Sequence, residues 1–168
     1  MTIVTLGGVT VGLAILAATL IRWWPGLKPL QHDPLGAVSR LLPFLLAWAY
    51  GALAILSLGG LVGWIADTAV WISSWLGDVA IVWGVGGDTG PAGRTAYQPL
   101  TRTGAALMVI LTAVVLVAAK KSSRGGDIKA GAWCGFCLGS SAGIAGAAAV
   151  PLAETVNWAG GALYGAVG

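Results

Sequence analysis

The chain has 168 residues, of which 57% are hydrophobic and only 9% charged, with a formal net charge of +3. That balance excludes an ordinary soluble domain, which needs far more charge to cover its surface. Its two cysteines exclude a disulfide framework.

The charges are clustered, and the gaps between them define the predicted elements. The first apolar segment covers residues 3–21. Arg22, Trp23, Trp24 and Pro25 then mark an interface: the charge stops the span, the indoles prefer headgroup depth and the proline breaks the helix. No Lys or Arg precedes Arg22, so the segment reads as an ordinary span or a signal anchor rather than a cleaved leader. A polar loop with Lys28, His32 and Asp33 leads to a second segment, residues 41–65, containing Trp64.

Residues 66–85 include Asp67 and Asp78 and are a poor free span. On a helix, Ile65, Ala69, Ile72, Leu76, Val79 and Trp83 share one face, with Trp64, Trp71 and Trp75 at its shoulder. Asp67, Ser74 and Asp78 gather opposite. The first reading is an amphipathic helix in the interface plane; the second is a fifth span whose polar residues face water or protein. Residues 86–102 form a polar loop rich in glycine, with Pro91, Arg94 and Arg102. A third segment, 103–119, is short but can be extended by snorkelling of Lys120 and Lys121. The basic loop 120–130 adds Arg124, Asp127 and Lys129, and a fourth segment covers 131–153. The expected fold is therefore an all-α integral membrane bundle, a single domain over 1–168, of four transmembrane helices plus one amphipathic helix.

Lys and Arg are concentrated around residues 22–40 and 120–130, and the termini carry none. The positive-inside rule puts both basic loops in the cytoplasm, with the termini and the loop 86–102 outside. Basic loop 120–130 suits anionic lipid headgroups. Nucleic acid needs only positive charge at its phosphates, but no aromatic side chain is interleaved there to stack bases.

Small residues recur at helical spacing: Gly135, Gly139, Gly143 and Ala147 in segment four; Ala47, Gly51, Gly59 and Gly63 in segment two; Gly8 and Gly12 in segment one. Missing side chains let helices approach closely, within one subunit or between subunits of a homo-oligomer. Cys134-Gly-Phe-Cys137 is the one motif with a chemical look, since thiols at i and i+3 share a helix face and a helix N-terminus activates them. Buried structural cysteines are the simpler reading; a membrane thiol-disulfide oxidoreductase is the alternative. Two cysteines and the distant His32 do not complete a metal site, and nothing calls for a cofactor.

The layout, with Leu42-Pro-Phe-Leu-Leu-Ala-Trp48, Gly63-Trp-Ile-Ala-Asp67 and Leu138-Gly-Ser-Ser-Ala-Gly-Ile-Ala-Gly146, resembles small multi-span membrane proteins of actinomycete conjugative plasmids and integrative elements, of the plasmid-spread type. The resemblance implies an oligomeric membrane component assisting DNA transfer and transfers no site residue. The expectation is a non-enzymatic membrane protein that self-assembles or joins a membrane complex, with the bilayer and other membrane proteins as partners and no small-molecule substrate. A holin-like pore and a small transporter are further alternatives.

Overall fold

A computed structural model describes residues 5–24, 34–57, 60–90, 100–141 and 149–167. The described residues form six helices: α1 Leu6–Trp23, α2 Pro34–Ala54, α3 Gly60–Val79 continuing as a π-helical turn Ala80–Val85, α4 Arg102–Lys121, α5 Gly125–Gly139 and α6 Ala149–Val167. Three helical stretches are long and apolar enough to cross a membrane: Leu6–Trp23, Gly60–Val85 and Arg102–Lys121.

Local chemistry sets the boundaries. Thr5 caps α1 by accepting from the Gly8 amide, and Thr101 caps α4 by accepting from Gly104. Lys120 and Lys121 occupy the last turn of α4, where positive charge complements the carbonyl end. Within the helices, Thr10, Thr19, Thr68 and Thr112 turn their hydroxyls back onto carbonyls three or four residues earlier. Apolar surroundings therefore leave none of these hydroxyls bare. The π-helical turn after α3 stops at Gly86, whose φ of 70° is a left-handed conformation natural to glycine.

Two expected spans are not single helices. The stretch 41–65 is interrupted after Ala54, where Leu56 and Ser57 donate to Leu53 and Ala54 in a tight turn, and α3 starts at Gly60 with φ 72°. The turn satisfies its amides locally among apolar side chains, so it needs no charge. The stretch 131–153 also divides. Its first helix starts in the basic loop at Gly125 and ends at Gly139, and a separate helix begins at Ala149. Asp127 in the first turn favours this earlier start. The basic loop is thereby shortened to Ser122, Ser123 and Arg124, and residues 158–167 belong to α6. Likewise α2 begins at Pro34, the first helical position that proline favours, seven residues before the expected start.

The core is a seam between α2 and α5. Positions close to one another run Phe44–Gly131, Trp48–Gly135 and Ala52–Gly139, so the two helices are parallel. α1 runs the other way along α5: Gly12 meets Cys137 and Leu138, while Arg22 reaches Asp127. α4 packs beside them, with Tyr50 donating to Thr112 at 3.0 Å and Met108 buried. α6 is tied to the start of α4 through Asn157, whose side-chain oxygen accepts from the Thr101 amide at 3.0 Å.

α3 crosses the bundle end remote from Arg22. Gly63 packs on the Ser57 carbonyl just after α2, and Gly77 packs on Gly7 at the start of α1. Its small residues Ala66, Ala69, Ser73, Ser74 and Gly77 face inward. Ile65, Leu76, Val79 and Trp83 point outward, together with Trp64, Trp71 and Trp75. Most of the face expected to be apolar is thus the outer one, but Ala69 of that face is buried and Asp67, expected opposite it, is exposed; the serines pack against α1 and α5.

Candidate functional site

Two regions concentrate the residues singled out above: the glycine seam and the basic end.

In the seam, a Cβ at Gly131, Gly135 or Gly139 would collide with α2, on the carbonyls of Phe44 and Trp48 and on Ala52. Gly51 answers from the other side, where a Cβ would strike the Ala132 carbonyl. Backbones approach this closely only where side chains are missing. Gly8 faces Ser74, Gly12 faces Cys137 and Leu138, and Gly63 faces Ser57. Gly59, Gly143 and Ala147 lie outside the described residues. Gly131 extends the same four-residue spacing backward, and its place at the expected segment boundary hid it. A Cβ at Gly161 or Gly165 of α6 would meet nothing within 4 Å among the described residues.

Cys134 and Cys137 are 0% and 1% exposed. They sit in the last two turns of α5, far from the helix N-terminus that would activate a thiol. The Cys134 thiol donates to the Gly12 carbonyl at 3.3 Å. Beside Cys137, Ser73 accepts from the Trp133 indole at 2.9 Å. Both thiols are thus packed where α1, α3 and α5 meet. Among the described residues no three metal-ligating side chains gather.

Ser74 Oγ and Asp78 Oδ1 are buried without a hydrogen-bond partner among the described residues. Asp78 lies against Gly7 in the first turn of α1, where the positive end of the helix offsets a carboxylate.

The basic end forms where the C-terminus of α1, the start of α2 and the N-terminus of α5 converge. Arg22, Arg40 and Arg124 line a cleft of about 390 Å³ with Thr19, Trp23 and Asp127. Lys120, Lys121 and Lys129 flank these elements on α4 and α5. Arg22 Nη2 is 3.7 Å from Asp127 Oδ1; at 75% and 30% exposure this pair adds little stability. Arg124 is held differently. Pro43, inside α2, has no amide to give the Ser39 carbonyl. Arg124 Nη1 donates instead to Ser39 at 3.4 Å and to Arg40 at 3.0 Å. The sequence marked Arg124 as basic, whereas its pairing with a proline-disrupted turn 84 positions away was not visible. Trp23 lines the cleft and Trp24 is exposed beside it.

A scan against family models finds no match, and searches of curated proteins and of solved structures find none either.

Proposed function

We propose that this chain is an integral membrane protein without catalysis of its own, working as a component that self-assembles or joins a larger membrane complex. Its arginine-rich end faces the cytoplasmic leaflet. The observation that carries this reading is the segregation of its surface. The outer faces of α1, α2 and α4 expose Leu13, Leu20, Leu45, Leu46, Ile110, Val114 and Val117, while Arg22, Arg40 and Arg124 collect at one end. Water would leave that apolar surface uncovered and lipid covers it. Cationic ends favour the cytoplasmic side.

In this reading α3 lies across the opposite end at the outer interface, with Trp64, Trp71, Trp75 and Trp83 at headgroup depth. The termini-outside topology places the start of α1 there too. Assistance in DNA transfer rests on the resemblance described above. Native mass spectrometry in mild detergent tests the assembly: a defined ring-sized oligomer supports it, and a clean monomer removes the self-assembly half.

Orientation is tested by cysteine labelling in intact cells. Both native thiols are buried, so introduced ones dominate. Ser123→Cys, between α4 and α5, resists an impermeant maleimide, and Asp88→Cys, beyond α3, is labelled. The reverse pattern refutes the orientation. Release of the protein from membranes by alkaline carbonate refutes the integral placement.

A further inference from the structure

We infer that the cleft between α1, α2 and α5 is a binding site for a phosphate group. Among the described residues, three guanidiniums, from Arg22, Arg40 and Arg124, line it with one carboxylate, Asp127. Arginine is the side chain suited to phosphate, because its planar fork offers paired N–H donors to tetrahedral oxygens. The site is partly built in advance. Arg124 is pinned by the Ser39 and Arg40 carbonyls through Nη1 alone. Of its five N–H donors, those on Nε and Nη2 make no hydrogen bond among the described residues.

Arg124 is also the N-cap of α5, so the positive end of that helix opens at the rim. Asp127 holds the exposed Arg22 loosely at 3.7 Å, a contact that an incoming phosphate anion can outcompete. The volume of about 390 Å³ accommodates a phosphate with a small substituent. Thr19, Trp23, Leu41 and Phe44 complete the lining.

A phosphate could come from an anionic lipid headgroup or from a free phosphate compound. Only the headgroup source rests on the membrane placement proposed above. The test is made on the full chain in a zwitterionic detergent, so orientation in a membrane does not enter. Thermal unfolding is followed with inorganic phosphate, with short-chain phosphatidylglycerol and with phosphatidylcholine, at ionic strength fixed by chloride. The site predicts a saturable rise of a few degrees with phosphate or phosphatidylglycerol, roughly 3–6 °C at tenfold excess over Kd. Stabilisation by phosphatidylglycerol alone assigns the headgroup; stabilisation by inorganic phosphate alone assigns a free compound; stabilisation by both assigns the shared group.

Arg40→Gln and Arg22→Gln each move half-saturation up roughly tenfold, the loss of one charge-assisted hydrogen bond. Arg22 is largely exposed, so its variant folds even where Arg40→Gln does not. No shift with either anion overturns the proposal. So does an equal shift with phosphatidylcholine, or wild-type half-saturation in Arg22→Gln.

Discussion

Arg124 supplies to Ser39 the hydrogen bond that Pro43 withholds: its Nη1 lies 3.4 Å from a carbonyl whose helical donor would be the missing amide four residues on. The neighbouring Arg40 carbonyl, at 3.0 Å, shares the same nitrogen. One side chain on the α4–α5 connection thus completes the first half of α2. Arg124→Met destabilises the wild type by about 0.5–1.5 kcal/mol, because the exposed carbonyls exchange a charged donor for water. In a Pro43→Ala background the helix supplies its own amide, and the same change costs less. A double-mutant cycle read by thermal unfolding gives a coupling of about 0.5–1.5 kcal/mol; strict additivity contradicts the pairing.

Gly135 and Gly161 differ in what surrounds them, and leucine at each separates packing from composition. At Gly135 the side chain has no room against Trp48 and Gly51, and the seam must open, costing at least about 1–3 kcal/mol. At Gly161 there is open space, and unfolding of the detergent-solubilised protein stays within about 0.5 kcal/mol of wild type.

The Trp133–Ser73 bond ties α5 to α3 at 2.9 Å. Trp133→Phe leaves the buried Ser73 hydroxyl without that donor and costs about 1–3 kcal/mol. Adding Ser73→Ala recovers part of that loss. If the double variant is no more stable than Trp133→Phe, the bond does not hold α3 in place.

Both thiols are protected in the folded state. A membrane-permeant maleimide leaves Cys134 and Cys137 unmodified until the protein unfolds, as mass measurement after timed labelling shows. Rapid modification of the pair in the folded protein would restore the redox alternative.

These features were unevenly legible in the sequence. Helices α1 and α4 were read nearly to their ends, because Arg22 and the Lys120–Lys121 pair are abrupt charges after long apolar runs. The turn after Ala54 was hidden because Ile55 and Leu56 are as apolar as the helix before them, and hydropathy does not register a bend that satisfies its own amides. The early start of α5 was masked by Asp127 and Lys129, polar residues that read as loop although a first helical turn welcomes an acid. The glycine spacing pointed to close helix approach, but spacing on one helix does not name the partner. That α5 chooses α2 emerges only when Gly51 and Gly135 are seen face to face. The arginine cleft has no local signature, since its charges come from three separate stretches.

Parallel packing of α2 and α5 also governs the order of biosynthesis. Arg40 leaves the ribosome 84 positions ahead of Arg124. For that interval the notch at Gly51 has no occupant and the Ser39 carbonyl lacks its donor. The nascent chain must carry α2 as an unfinished surface while α3 and α4 are made. A chain stopped after α4 would leave that surface uncovered, so α5 is the segment that completes it.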